Sequence, residues 1–228
     1  FLRFDMSEYS AEHSEARMIG APPGYVGFDA GGQLTNALRE RPFRVVLFDE
    51  IEKAHNRILD KFLQILEDGR LTDGRGETVY FSDALIVFTS NAGISRRQPD
   101  GSVQMVVSPD TPPDNFERLL EEGIDDYFIR ELRRPELLNR IGENIVIFRF
   151  IQPEVGAQIL DGMLDNVRRR VREEREIEID ISPALLEQLR AACVGTRLEN
   201  GGRGISAKLE AVFVNPLARL MFDRNPAK

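Results

Sequence analysis

The hydrophobic pattern divides the chain into short strands and amphipathic helices. Residues 1–5 alternate apolar and polar side chains, as a short strand does. Residues 6–17 are polar and rich in helix formers, but Ser7 with Ser10 three residues on makes no capping box, so a helix there has a soft start. Residues 19–33 hold five glycines and two prolines and read as loop. A short helix is predicted over 34–40, ending before Pro42. Residues 43–48 (FRVVLF) are β-branched and apolar, and stop abruptly at Asp49-Glu50; this predicts a strand buried on both faces of a parallel sheet. Ile51, Ile58, Leu59, Phe62, Leu63 and Leu66 recur at helical spacing over 51–68, with Gly69 placed to end the helix. Asp68-Gly69, Asp73-Gly74 and Gly76 mark turns, and 79–81 can form a short strand. Residues 84–89 (ALIVFT) predict a second buried strand, followed by Ser90-Asn91.

Residues 93–115 carry Pro99, Pro109, Pro112 and Pro113 and look the least regular, a mobile insertion. Helices are predicted over 116–132 and 135–141, and a third core strand over 145–150 (IVIFRF). Beyond Pro153 the pattern changes. Val155, Ile159, Met163, Leu164, Val167 and Val171 line one helix face, and 176–181 (EIEIDI) alternate strictly, as a one-sided strand would. Ser182-Pro183 supplies the N-cap and first position of a helix bearing Leu185, Leu186 and Leu189. A turn at Gly201, Gly202 and Gly204 precedes a last helix with Leu209, Val212, Phe213, Leu217 and Met221. Strand–helix alternation followed by a helical tail predicts an α/β domain over 1–150 and a smaller α-rich domain over 151–228.

Composition narrows the function. The 228 residues are 42% hydrophobic and 30% charged, the balance of an ordinary globular protein. No apolar run approaches the roughly 20 residues that cross a bilayer, so a membrane partner is not expected. A net charge of -8 argues against nucleic acid as the main partner. The single cysteine, Cys193, excludes an intrachain disulfide framework, suits a reducing, cytoplasmic setting, and reads as a small core residue. His13 and His55 lie far apart and mark neither a metal-ligand cluster nor a Ser-His-Asp hydrolase.

The residues that can carry chemistry sit at strand ends. VVLFDEIEK (45–53) delivers Asp49 and Glu50 to the C-terminal edge of a buried strand, where open α/β sheets bind ligands. Nucleotide hydrolysis needs two carboxylates there, Asp49 to hold Mg²⁺ and Glu50 to polarise water; alone, the same pattern is equally a strand meeting solvent. Asn91 is aimed at the same edge and can orient a water or a phosphate, or it can be an ordinary turn asparagine. Tyr25 and Val26, flanked by Gly24 and Gly27, suit contact better than core. Arg133, Arg134, Arg140 and Arg203 offer guanidinium forks for phosphate or simply face solvent.

Taken together these segments resemble the Clp-type AAA+ unfoldases, specifically the second ATPase module of ClpA, ClpB and ClpC relatives. The matching stretches, in the family's order, are FDMSEYSAEHSEARMIGAPPGYVGFDAGGQLT (4–35), RPFRVVLFDEIEKAH (41–55), LQILEDGRLTDGRGETVYF (63–81), FTSNAG (88–93), RPELLNRIGENIVIF (134–148) and NPLARLM (215–221). The resemblance implies ATP and Mg²⁺ as cofactors. It makes Asp49 and Glu50 the Walker B pair, Asn91 the sensor-1 residue and Arg140 an arginine finger serving the neighbouring subunit. Arg203 becomes the sensor-2 residue of a small lid domain, and Tyr25 with Val26 the pore-loop contact on a translocating polypeptide; 73–78 matches a second pore loop. It also implies a homo-oligomeric ring, a hexamer, that threads unfolded or aggregated polypeptide clients, with an adaptor or peptidase as a further partner. The 93–115 insertion lacks the Ile/Leu/Val-Gly-Phe/Leu tripeptide of peptidase-coupled relatives, which favours a disaggregase or remodelling factor.

Two departures shape the expectation. No Gly-Lys-Ser or Gly-Lys-Thr occurs in the chain, so the family's P-loop is missing, and with it the amide cradle for phosphates. The chain is therefore expected to be a fragment, or to have that part supplied otherwise, and to hydrolyse no ATP alone; a non-catalytic scaffold or ring partner is the alternative. The strand that accompanies the P-loop normally lies between those leading to Asn91 and through 145–148, so two unpaired sheet edges are expected. The family's Gly-Ala-Arg-Pro also reads Gly201-Gly202-Arg203-Gly204.

Overall fold

The structure, a computed structural model, describes residues 1–194, 198 and 201–224. It divides into two compact units, Phe1–Val107 with Thr111–Val146, and Ser108–Asp110 with Ile147–Lys228. The first is α/β. Its central sheet joins β1 (Leu2–Asp5), β2 (Val45–Asp49) and β5 (Leu85–Phe88), all parallel, in the order β1-β2-β5. The register sets Phe4 opposite Phe48 and Phe48 opposite Phe88. Their rings stack across the sheet at 5.7 and 5.5 Å between centroids, and Phe62 packs on Phe48 at 4.5 Å. Such aromatic contacts add to the area they bury, and Phe48 and Val46 are fully buried.

Phe62 lies on α3 (Asn56–Asp68), whose apolar stripe Ile58, Leu59, Phe62 and Ile65 is buried. The helix predicted from Ile51 is broken: Ile51–Lys53 form a single 3-10 turn, and α3 starts at Asn56, where His55 Nδ1 accepts the Arg57 N–H at 3.3 Å. Gly69 ends α3 with φ 64°, as its position suggested. Residues 6–17 are likewise divided, into a 3-10 turn at Met6–Tyr9 and the short α1 (Ser14–Ile19); α2 spans Gln33–Glu40. Between α3 and β5 runs an antiparallel hairpin, β3 (Arg70–Thr72) with β4 (Thr78–Tyr80).

Three expectations for this unit are corrected. The sheet is well buried on one face only: Leu85 and Val87 are exposed, Leu47 is half-buried, and none of them joins the core cluster. The 93–115 insertion is not featureless; β6 (Ser95–Arg97) pairs with β7 (Val103–Met105), and α4 (Pro113–Asp126), continued by a π turn at Tyr127–Glu131, begins within it. A tight approach at Gly123, where a Cβ would lie 2.3 Å from the Gly93 carbonyl oxygen, anchors the base of the hairpin. Residues 145–150 form no strand after α5 (Pro135–Ile141), and Val146 and Phe148 are exposed. A strand needs a neighbour for its N–H and C=O groups. Among the described residues the run at 145–150 joins no ladder, so its apolar pattern alone does not make it a strand.

The second unit is helical: α6 (Pro153–Arg175), α7 (Pro183–Val194), α8 (Gly201–Leu209), a π turn at Glu210–Val214 and α9 (Asn215–Arg224). Leu160, Leu164, Leu189, Cys193, Ile205 and Leu209 fill its core. Burial raises the Cys193 thiol pKa, and the residue is packing material. Ser182 caps α7, its Oγ accepting the Leu185 N–H at 3.3 Å. Here too a predicted strand is corrected. Residues 176–181 form no ladder; Ile179 and Ile181 instead pin the connection to the helical core, so the alternation reports one-sided burial without pairing. Gly201, Gly202 and Gly204 stand inside the first turns of α8 rather than ahead of it.

Candidate functional site

The parallel sheet brings the ends of β2 and β5 side by side, and the candidate site is assembled there from backbone outward. The Thr89 N–H donates to the Phe48 carbonyl at 3.0 Å, and the Ile51 N–H to the Thr89 carbonyl at 3.0 Å, so the two strands are laced together past their last ladder pair. Between these bonds Glu50 takes a left-handed conformation with φ 58°. For a non-glycine residue that conformation is strained, and it persists where surrounding contacts impose it. The contact is Thr89, whose Oγ1 accepts the Glu50 N–H at 3.1 Å while its hydroxyl donates to the Asp49 carboxylate.

Asp49 is also held from β1. Arg3 donates to it through Nε at 3.2 Å and forms an ion pair through Nη2. The Asp49 hydrogen bond, followed by its charge, raises the Arg3 pKa. Asp5 shares the register of Asp49 and turns to Ser7, accepting from its N–H at 3.0 Å and its hydroxyl at 2.6 Å; these bonds hold its carboxyl below the ordinary range.

Asn91 reaches the same edge by a route the motif does not display. Glu52 accepts the Ser90 hydroxyl through Oε2 at 2.8 Å and the Asn91 N–H through Oε1 at 3.2 Å. The carboxylate two residues beyond Glu50 thus fixes the backbone that carries Asn91. It also faces Tyr127, whose phenol is pushed up to about 12 by burial first, then by Glu52 and Glu131.

The structure therefore gathers Asp49, Glu50 and Asn91 at one rim and adds Arg3, Glu52 and Thr89, which sequence reasoning missed. The spacing of Glu52 from Glu50 was the available signal for one of them; Arg3 and Thr89 become visible only when strands pair. The remaining candidates are carried by other elements. Arg140, near the end of α5, donates through Nη2 to Glu67 on α3 at 2.5 Å, both side chains half-exposed. Arg134 binds Asp60 on the same helix at 3.0 Å. Arg203 is exposed on α8 in the second unit. Tyr25 and Val26 project from the loop between α1 and α2, 70% and 103% exposed, too free to serve as core. Among the described residues, no three His, Cys, Asp or Glu side chains gather as a metal cluster, and no helix is long and apolar enough to cross a membrane.

Residues 1–145 match the family model described as AAA domain (Cdc48 subfamily). The chain belongs to this AAA family. Residues 151–228 match a second model, the C-terminal D2-small domain of ClpB protein. The two matches in sequence make the chain a Clp-type AAA+ second module, as the resemblance implied. It is similar to chaperone protein ClpB of Propionibacterium freudenreichii subsp. shermanii, 42% identical over 96% of the chain and 23% of that relative. Heat shock protein hsp98 of Neurospora crassa is 38% identical over 96% of the chain and 22% of its own length. A protein of Porphyra purpurea named ATP-dependent Clp protease ATP-binding subunit ClpA homolog is 41% identical over 82% of the chain and 22% of its length. The AAA+ module described here thus spans about a quarter of the length of these relatives.

Proposed function

We propose that this AAA+ module serves an ATP-driven remodeller that threads polypeptide through the pore of a homo-oligomeric ring, a hexamer. The observation that supports the reading is the rim itself: two carboxylates and an amide-bearing residue at the ends of neighbouring parallel strands, with Thr89 bonded to the Asp49 carboxylate and the Glu50 N–H, and Glu52 to the Asn91 N–H. Residues 1–150 act as the large subdomain and 151–228 as its lid. A Mg²⁺ ion is commonly held by one or two carboxylates plus phosphate oxygens, and Asp49 at a strand end fits that donor set. When bound, ATP with Mg²⁺ supplies the transferable phosphoryl group and neutralises its charge. Glu50, on its left-handed backbone at the strand end, then orients and polarises water. Asn91 offers an amide donor to the reacting oxygens. Arg140, released from Glu67, serves a neighbouring subunit, and Arg203 acts as the lid's phosphate-sensing residue. Tyr25 and Val26 contact an unfolded or aggregated client. The setting is cytoplasmic, with an adaptor or peptidase as a further partner, and neither nucleic acid nor membrane is required.

The test uses the gene product that carries this chain. Glu50→Gln keeps nucleotide binding while turnover falls about 100-fold or more, as for loss of a general base. Tyr25→Ala lowers client threading far more than hydrolysis. Turnover within about twofold of the parent in Glu50→Gln would remove Glu50 from the chemistry and leave the non-catalytic scaffold as the better reading.

A further inference from the structure

The loop bearing Tyr25 leaves α1 at Ile19 and re-enters the fold at α2, and no strand holds either leg. The turn between β3 and β4 does. On one leg, the Gly74 N–H donates to the Ile19 carbonyl at 3.0 Å. A Cβ on Gly74 would lie 2.4 Å from the Gly20 carbonyl oxygen and 2.6 Å from that of Ala21, so the approach is one only glycine permits. On the other leg, Arg75 spans successive carbonyls, donating through Nε to Phe28 at 3.4 Å and through Nη2 to Asp29. One turn therefore grips the chain on both sides of Tyr25.

The turn is itself fixed from beneath. The Asp73 side chain is 1% exposed and accepts the N–H groups of Arg75 and Glu77 at 2.9 Å each. Arg39 on α2 donates to it at 2.7 Å and meets Glu77 at 3.1 Å. The turn is also continuous with the candidate site. From Asp49-Glu50 the chain passes through the Ile51–Lys53 turn into α3, a rod of 13 residues, and then directly into β3, whose Leu71 is buried in the same core. A shift of α3 at its carboxylate end is carried to Asp73 by a helix that does not bend easily, and from there across the Arg75 hydrogen bonds.

We propose that Arg75 is a positioning residue for Tyr25: its guanidinium straps the Tyr25 loop to the β3–β4 turn, so that the loop moves with α3. This deepens the reading of Tyr25 as the client contact and rests on it for its functional meaning, but not for its geometry. The bonds of Arg75 are solvent-exposed, so they steer the loop and contribute little to the fold.

These 228 residues hold no tryptophan, so in the gene product Tyr25→Trp, with any tryptophan outside them replaced by phenylalanine, provides a single reporter. In that background, Arg75→Ala lowers the residual fluorescence anisotropy of Trp at 25 about twofold while the unfolding midpoint stays within about 2 °C. Chymotryptic cleavage after Phe28 rises about tenfold in Arg75→Ala without the reporter, as expected for a loop that opens locally. Arg75→Lys fails to restore either signal, because an ammonium is a point donor and cannot span two carbonyls as the fork does. Equal anisotropy and equal cleavage in the parent and Arg75→Ala would overturn the strap. If Arg75→Ala frees the loop while Tyr25→Ala leaves client threading intact, the strap stands and the assignment of Tyr25 to client contact falls.

Discussion

At the end of β2, Asp49, Glu50 and Glu52 follow within four residues and do different work. Asp49 is pinned by Arg3 and Thr89, Glu50 sits on imposed left-handed backbone, and Glu52 turns away to hold Ser90 and Asn91. Supporting groups of this kind commonly matter to a site by fixing the groups that react. In the gene product that carries the chain, Glu52→Ala is expected to lower turnover about 10–100-fold with little change in nucleotide affinity. Glu52→Gln, which keeps an acceptor, should recover part of it; steady-state kinetics with equilibrium nucleotide binding check both. Asp73 gives a pH prediction. Burial alone would push its carboxyl up, but Arg39 and the N–H groups of Glu77 and Arg75 together outweigh burial and hold it below the ordinary range. The folded pKa is depressed, so its stabilisation is complete above the unfolded value of about 4 and is lost as pH falls through the folded one. Urea unfolding of Asp73→Asn should therefore differ from the parent at pH 7, by about 1–3 kcal/mol, and converge with it in acid.

At the scale of elements, the ladder Phe4, Phe48 and Phe88 with Phe62 beneath it joins the strands to α3. Phe62→Ala should cost about 3–5 kcal/mol, measured by urea unfolding, because the close-packed ladder cannot collapse onto the space left. The helix between the acidic rim and the β3–β4 hairpin is thus both core and connecting rod. The strands whose neighbours lie inside the described residues, β1, β2 and β5, form as their patterns predict. Those without partners, 145–150 and 176–181, do not, although their patterns are as strand-like as that of β2.

For the whole molecule, each unit has its own hydrophobic core. The first leaves β5 as an outer strand with Leu85 at 62% exposure and Val87 at 37%. An uncovered apolar strand invites pairing with another chain. The chain alone should self-associate with rising concentration, and Leu85→Lys should shift sedimentation toward the monomer. Loss of a defined ring in the gene product from the same change would instead place this face in a native contact.

Periodicity and end signals settled most of what is local: β1, β2, β5, the stop at Gly69, the Ser182 cap, α5 through α7, and the two acids at a strand end. These are decided by the alternation of side chains and by capping chemistry within a few residues. Pairing is not local. Whether an apolar run becomes a strand depends on a neighbour to take its hydrogen bonds, which is why 145–150 and 176–181 mislead. Arg3 on Asp49, Thr89 on Asp49 and the Glu50 N–H, Glu52 on Asn91, and Arg75 on Phe28 and Asp29 each join residues 39 or more positions apart, so only the tertiary structure, through strand register and the reach of a side chain, could decide them.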